Sequence, residues 1–222
     1  MVPSTPMVET RRRRPKGEAS REKILDAAAE IAGERGYEGT SINLISERSG
    51  LPASSIYWHF KDKDELVAAV IDRSFQQWSD TLGAPMDIAP NATASEMFHA
   101  IMRRTGAGIA EFPDYLRLGL MLMLERRPEE LTARRRFLEV RRIAADRART
   151  LYRVVFPDLG ADDIETLVTL TMALSDGLFV AQEVGEVKLD DAFDMLATAI
   201  LGSASELRGT ANANPVLPAT GR

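Results

Sequence analysis

The sequence contains no cysteine, only two histidines and no run of about twenty apolar residues. The absence of cysteine excludes disulfides, thiolate metal ligands and cysteine nucleophiles. Two histidines without cysteine rarely form a metal site, so we expect no metal and no cofactor. The missing apolar run argues against a membrane span, and the basic N-terminus lacks the apolar stretch of a signal peptide. We therefore expect a cytoplasmic protein with no membrane partner.

Sequence patterns that mark catalysis are also missing. The chain has no Gly-rich phosphate loop, no histidine–carboxylate cluster and no nucleophile elbow. A nucleophile, a base and an oxyanion site therefore cannot be assembled from its motifs. We predict that the protein is not an enzyme and assign no catalytic residue.

Charge is distributed unevenly along the 222 residues. Residues 1–63 carry 11 basic and 9 acidic side chains, a net charge of +2, whereas the rest of the chain carries −7. A positive N-terminal part on an acidic body is consistent with a localised surface that binds phosphates. The run Arg11–Arg14 has two interpretations that remain open, a solvated tail or an arm that reaches an adjacent minor groove.

Hydrophobic periodicity predicts an all-α protein, because strand alternation is absent and Gly and Pro fall between helical segments. We expect helices from an N-cap at Ser20 to Gly36, from residue 40 or 41 to Gly50, and from Pro52 to Phe60. Asp62 and Glu65 resemble a capping box that opens a long fourth helix ending near residue 83. Later helices are expected over 94–111, 113–126, 129–156, 162–184 and 190–208.

This periodicity also predicts the domain organisation. A disordered basic arm (1–19) should precede a three-helix unit (20–66). A larger helical domain (67–208) should follow, with its first helix continuous from the three-helix unit. The tail (209–222) has the composition of a disordered end.

The segment 40–66, TSINLISERSGLPASSIYWHFKDKDEL, carries the strongest functional signal. Its two helices, joined by a tight turn at Gly50, make a helix-turn-helix whose second helix can enter a major groove. Pro52, Ile56 and Phe60 recur every four residues and are expected to pack inward. The remaining small, hydroxyl and aromatic side chains suit contacts with bases and phosphates. The predicted DNA contacts are Thr40, Ser41, Asn43, Ala53, Ser54, Ser55, Tyr57, Trp58, His59 and Lys63.

The sequence resembles the TetR family of bacterial repressors in the pattern Thr40, Gly50, Ile56, Tyr57, His59, Phe60, Lys63 and Leu66. The tripeptide Tyr57-Trp58-His59 before Phe60 is especially specific to that family. The resemblance covers residues 20–75, including REKILDAAAEIAGERGYEGTS over the first helix. Ile45, Pro52 and residues 53–55 depart from the common family pattern at positions where bases are contacted. These departures concern the operator sequence and not DNA binding itself.

The resemblance implies a dimeric repressor that binds palindromic operator DNA and is released by a small ligand held in its C-terminal helices. It makes residues 20–66 the helix-turn-helix DNA-binding domain and residues 67–208 the ligand-binding and dimerisation domain. Segment 162–184 is apolar on nearly all sides, as expected at a subunit interface. The predicted dimer contacts are Leu167, Leu170, Leu174, Leu178, Phe193, Leu196 and Ile200. A regulator without a small-molecule inducer, either constitutive or controlled by another protein, remains the alternative.

The predicted ligand pocket is almost entirely apolar, which favours an apolar or aromatic ligand with one or two polar atoms. Its candidate walls are Phe98, Ile101, Met102, Tyr115, Met121, Met123, Phe137 and Tyr152. Tyr115, Tyr152 or Asp176 would orient the ligand. Ordinary core packing is the more frequent explanation of the methionines. For Asp176, an interface role and a contact with the ligand are equally open.

Overall fold

The computed structural model describes residues 14–86, 89, 91–125 and 131–213, with side chains from residue 17 to residue 209 of these ranges. Within them the chain forms nine helices and no strand, which confirms the all-α prediction. The helices are α1 (Arg14–Gly39), α2 (Ile42–Ser49), α3 (Ala53–His59), α4 (Lys63–Gly83), α5 (Ala94–Glu111), α6 (Asp114–Leu124), α7 (Thr132–Val155), α8 (Ala161–Glu183) and α9 (Leu189–Ala213).

Helix α1 differs from the prediction at both ends. It begins at Arg14, so the prediction of a disordered arm is wrong for residues 14–19, and Ser20 lies inside the helix instead of capping it. Pro15 falls in the first turn, where a missing N–H costs no hydrogen bond. The regular helix breaks at Gly36, whose φ of 70° favours glycine, and the chain stays helical to Gly39. Residues 1–13 lie outside the described residues, as does the predicted disorder beyond residue 213.

The described residues divide into two compact units. The first contains the chain to Arg73 together with Arg117–Phe137, and the second contains Ser74–Leu116 and the chain from Leu138 onward. Packing therefore places the division inside α4 and not at residue 66. It also assigns the end of α6 and the start of α7 to the unit that holds the helix-turn-helix.

The N-terminal unit is built around apolar residues from the first four helices. The fully buried members include Ile24, Leu25, Ala28, Ile31, Ala32, Ile45, Ile56, Leu66, Val67 and Ile71. The Asp64 carboxylate accepts hydrogen bonds from the backbone N–H groups of Thr132 (2.6 Å) and Ala133 (3.1 Å), and so caps the start of α7. Arg136 also donates to Asp72 of α4. These bonds explain why the start of α7 belongs to this unit.

The second unit has its core where α9 packs against α5 and α8. Phe193, Leu196 and Ile200 of α9 are buried there, and Phe98, Tyr152 and Phe156 stack with ring centroids 5.8–6.0 Å apart. Thr93 and Glu96 form a capping box at the start of α5. Helix α9 extends to Ala213, so the predicted start of a disordered tail at residue 209 is too early.

Candidate nucleic-acid interface

The helix-turn-helix is shaped by local capping chemistry. Ser41 is the N-cap of α2, and its hydroxyl accepts a hydrogen bond from the N–H of Leu44 at 3.3 Å. Gly50 ends α2 in the left-handed conformation, with φ of 67°, which gives the turn its sharp reversal. Ser46 donates to the carbonyl of Leu51 at 2.7 Å and holds the turn in place. The predicted turn at Gly50 is confirmed.

Helix α3 is anchored on one side and free on the other. Ile56 and Phe60 are buried, as predicted, and the Arg21 guanidinium lies 5.4 Å from the centroid of the Phe60 ring. Pro52 is exposed, so the prediction that it packs inward is wrong. On the opposite side, Tyr57 is 57% exposed and Trp58 is 76% exposed. Large exposed aromatic side chains on an anchored helix are typical of a binding surface.

The other predicted contacts on α2 and α3 surround these rings. Asn43, Ser41 and Ser54 are exposed, whereas Ala53 and Ser55 are half-buried. Their small or polar side chains allow close approach and hydrogen bonding to a partner, as their predicted role requires.

His59 is half-buried beside Trp58, with their ring centroids 4.5 Å apart. Burial, and then the charge of Arg21, lower the pKa of His59 below its ordinary value. At neutral pH the ring is therefore mainly uncharged, and it offers a hydrogen bond and not a positive charge.

The start of α1 lies beside α3, which the sequence did not indicate. The Trp58 ring is 3.8 Å from the position that a Cβ on Gly17 would occupy. The helical turn that follows the basic run Arg11–Arg14 is therefore next to the exposed aromatic surface. The side chains of that run lie outside the described residues, so the predicted choice between tail and arm stays open.

Thr40 does not lie on the predicted DNA surface. It is buried, with 2% of its surface exposed, and its hydroxyl donates to the carbonyl of Gly36 at 2.8 Å. This bond ties Thr40 to the break in α1 at Gly36. The structure gives Thr40 a structural role in place of the predicted phosphate contact.

Lys63 also makes contacts that the sequence did not reveal. Its ammonium donates to the carbonyl of Tyr37 at 3.0 Å and lies 4.2 Å from the centroid of the Tyr37 ring. Glu38 is a further partner at 3.8 Å. The side chain joins the start of α4 to the end of α1, so it is engaged within the protein and not directed at a phosphate.

Ion pairs fix the helices behind this surface. Arg48 of α2 pairs with Glu30 (2.8 Å) and Glu34 (3.3 Å) of α1. Its guanidinium, through hydrogen bonding first, lowers the pKa of Glu34. Arg73 of α4 pairs with Glu22 and Asp26 of α1. Exposed pairs such as these add little stability.

Five of the predicted ligand-pocket residues are core residues of the second unit. Phe98, Met102, Tyr115 and Tyr152 are buried and Ile101 is half-buried. Three others belong to the first unit, where Phe137 is buried but Met121 and Met123 are 39% and 36% exposed. This exposure does not fit the walls of an enclosed pocket. The Met121 methyl group lies instead against Gly36, 2.9 Å from the position of a Cβ there.

The polar residues predicted to orient a ligand differ in their partners. Both carboxylate oxygens of Asp176 accept hydrogen bonds from Arg141, at 2.8 and 2.5 Å. The Tyr152 hydroxyl lies 2.5 Å from that of Thr171, whose own hydrogen goes to the carbonyl of Leu167. Tyr152 is therefore the donor in this pair. Burial raises the pKa of Tyr152 to about 12.

The predicted dimer residues fall into two groups. Leu167, Phe193, Leu196 and Ile200 are buried inside the protomer, so they cannot contact a second chain directly. Leu170 and Leu178 are half-buried, and Leu174 is 38% exposed. Because both faces of these helices are apolar, the sequence pattern could not separate the core face from the outer face.

An exposed surface without charge runs along α8. The α8 stripe is defined here by Ala173, Leu174, Gly177, Val180 and Val184, of which Val180 is 53% and Val184 66% exposed. Helix α8 is the one helix of the described residues that is long and apolar enough to cross a membrane by composition. A helix that is apolar on both its core face and its outer face passes the same test.

The turn at Gly50 and the exposed aromatic helix that follows it together form a helix-turn-helix. Residues 24–70 match the profile "Bacterial regulatory proteins, tetR family". This match over the N-terminal segment supports the resemblance to the TetR family that the sequence motif indicated.

Two relatives are named as a regulator and a repressor. The chain is 26% identical over 118 residues to the fatty acid metabolism regulator protein of Bacillus subtilis, covering 53% of this chain and 58% of the relative. It is 30% identical over 112 residues to the transcriptional repressor KstR2 of Mycolicibacterium smegmatis, covering 50% and 47%. The matches thus span less than two thirds of these relatives.

Similarity of fold extends over most of the chain. The crystal structure of FadR from Bacillus subtilis in complex with stearoyl-CoA has a TM-score of 0.63 and covers 82% of this chain and 98% of that one. The sequence identity is 18%, so the likeness concerns the fold alone.

Proposed function

We propose that the protein is a non-enzymatic, cytoplasmic transcriptional repressor that binds palindromic operator DNA as a homodimer and is released by a small apolar ligand. The observation that carries DNA binding is the exposure of Tyr57 and Trp58 on a helix anchored by Ile56 and Phe60. The turn at Gly50 presents this helix outward. The rings would contact sugars and thymine methyl groups, and the hydroxyl groups would contact bases and phosphates. Such contacts account for the exposure of large aromatic rings, which is otherwise unfavourable in water.

A second copy of the chain is the proposed occupant of the α8 stripe. Its exposed residues have no charge, and Gly177 has no side chain to keep a second helix away. The outer side of α9 continues this character with the small exposed residues Thr198, Ala199 and Gly202. Helices with such faces can approach closely, and two-fold pairing would place two recognition helices on a palindrome.

The ligand is proposed from the apolar character of the second unit and from the relatives. One structural neighbour was solved with stearoyl-CoA and one curated relative is a fatty acid metabolism regulator, so a molecule with an apolar chain is a reasonable ligand class. Binding releases DNA only if the ligand prefers one arrangement of the protein. A coupling of about 1–3 kcal/mol would weaken operator binding by roughly 5–150-fold.

DNA binding is tested by selecting duplexes from a random-sequence library and measuring their affinity by fluorescence anisotropy. Half-sites should repeat about 34–36 Å apart, one helical turn, or a multiple of this distance. Tyr57→Ala and Trp58→Ala should each weaken binding by about 5-fold or more, in line with a contact of ~1–3 kcal/mol. Val154→Ala, which removes an equally exposed apolar side chain from α7, is the matched control and should bind as wild type.

Selection that yields no common sequence, or equal binding by all three variants, would contradict the proposed DNA surface. Ligand control is tested by adding apolar compounds to the protein–duplex complex. Compounds that bind the protein and leave the affinity for DNA unchanged would favour a regulator without an inducer.

A further inference from the structure

The Tyr115 side chain is a buried phenol whose hydroxyl has no hydrogen-bond partner among the described residues. Only 6% of its surface is exposed. Its backbone N–H is satisfied, because it donates to Ser74 at 3.0 Å, and Ser74 in turn donates to the carbonyl of Phe112. A buried hydroxyl without a partner is costly, by about 1–3 kcal/mol, and such groups often mark a site of function.

Tyr152 provides a direct comparison in the same unit. It is also a buried phenol, but its hydroxyl bonds to Thr171 at 2.5 Å. Asp176 is likewise paired, through both oxygens, with Arg141. Of the three polar groups predicted to orient a ligand, only Tyr115 therefore has a hydroxyl that the described part of the protein leaves unsatisfied.

The surroundings of Tyr115 are aromatic and belong to several helices. Its ring centroid lies 5.6 Å from that of Phe75 and 5.5 Å from that of Trp78, both on α4. The Trp78 indole is tied to α5, because it donates to the carbonyl of Thr105 at 3.3 Å. The Tyr115 ring therefore packs against the second half of α4, which Trp78 joins to α5.

The charges near Tyr115 restrict what can bind. Burial first, and then the charge of Asp176, raise the pKa of Tyr115, while Arg141 opposes this effect more weakly. The phenol stays protonated and can donate or accept one hydrogen bond. An anionic group at this hydroxyl would be buried among aromatic rings, and Arg141 is already paired with Asp176, so an uncharged group is favoured.

We propose that the Tyr115 hydroxyl anchors the ligand, and that the ligand is an apolar molecule whose bound end carries an uncharged carbonyl or hydroxyl oxygen. This inference rests on the proposed function, because it assumes that a ligand binds the C-terminal helices. Beyond the proposed function, it identifies the residue that recognises the ligand and states that the recognised group of the ligand is uncharged. A ligand oxygen at this position would satisfy the buried hydroxyl that the described residues leave without a partner.

Three probes with the same ten-carbon chain test this inference: 1-decanol, methyl decanoate and decanoate. Their dissociation constants are measured by calorimetry at pH 7.5 with wild type, Tyr115→Phe and Tyr152→Phe. Wild type should bind the two uncharged probes more tightly than decanoate. Tyr115→Phe should bind the uncharged probes about 3- to 10-fold more weakly, as expected for the removal of one neutral hydrogen bond.

Tyr152→Phe is the matched control, because it removes the same atom from a hydroxyl that already has a partner. It should lower the melting temperature and leave the affinities for the probes unchanged. Tyr115→Phe should not lower the melting temperature, since it removes an unsatisfied group.

Equal binding of the uncharged probes by wild type and Tyr115→Phe would overturn the inference, as would tighter binding of decanoate or no binding of any probe. The affinity for the selected duplex is measured in parallel. Probes that bind through Tyr115 without weakening DNA binding would contradict the proposed regulation and leave the anchor intact. Probes that weaken DNA binding equally in wild type and Tyr115→Phe would support the regulation and contradict the anchor.

Discussion

Replacing Lys63 with alanine separates a structural role of this lysine from a role in DNA binding. The ammonium donates to the Tyr37 carbonyl at 3.0 Å and lies over the Tyr37 ring, and the side chain is 26% exposed. A hydrogen bond to a charged group contributes about 1.5–3 kcal/mol, and a partly exposed cation–π contact about 0.5–1 kcal/mol. We neglect the Glu38 pair because Glu38 is 66% exposed.

Lys63→Ala should therefore lower the free energy of unfolding by about 2–4 kcal/mol. For a chain of this length the melting temperature should fall by roughly 4–16 °C. Thermal unfolding followed by circular dichroism and urea denaturation both measure the change. Lys61→Ala is the matched control, because Lys61 is an exposed lysine two residues earlier, and the bond that it donates to Glu65 (2.7 Å) comes from its backbone N–H. It should change stability by less than about 0.5 kcal/mol.

The salt dependence of DNA binding can contradict the structural role of Lys63. If the Lys63 ammonium instead binds a phosphate, Lys63→Ala should have the same melting temperature and free energy of unfolding as the Lys61→Ala control. It should also lower the slope of log K against log salt by about 0.9 for each phosphate that is no longer neutralised. That combination would show that the bond to Tyr37 is not the role of this side chain in solution.

Two further expectations concern the C-terminal helices. Val180→Lys places a charge in the α8 stripe and should convert the dimer into a monomer, as measured by sedimentation velocity. Val154→Lys, which changes an exposed residue on α7, is the control and should remain a dimer. If both variants are dimers, the interface lies elsewhere. Because burial raises the pKa of Tyr152 to about 12, above its ordinary value of 10.0, the folded protein keeps a proton that the unfolded chain loses. Stability should therefore decline between about pH 10 and pH 12, and urea denaturation should show a shallower decline for Tyr152→Phe; an unchanged decline would contradict the assignment.

Local chemistry explains which parts of the fold could be predicted. Ser41, Gly50 and Asp62 act on backbone groups within four residues of themselves, so their capping roles were visible in the sequence. The bounds of α5 follow from the same kind of signal at Thr93. The early start of α1 was missed, although Pro15 in the first turn is a recognised signal for a helix start.

The orientation of individual side chains depends on distant parts of the chain and could not be predicted. Thr40 and Lys63 lie where the family motif places DNA contacts, but both bind carbonyls that the break at Gly36 brings within reach. Pro52 fits the four-residue spacing of the inward face, yet it precedes the helix and stays exposed. The exposed rings of Tyr57 and Trp58 were predicted, because Ile56 and Phe60 define the inward face beside them.

The capping of α7 by Asp64 has a consequence for the order in which the protein can fold during synthesis. The N-terminal unit contains residues up to Arg73 and then Arg117–Phe137, so 43 intervening residues must leave the ribosome before its last members do. At about 5–20 residues per second, the 64 residues from 74 to 137 take roughly 3–13 s to synthesise. During this interval the backbone N–H groups that the Asp64 carboxylate caps have not yet been synthesised. A nascent chain halted at residue 73 would therefore present the recognition helix on an incomplete support, and DNA-binding competence should arise only after Phe137 has emerged.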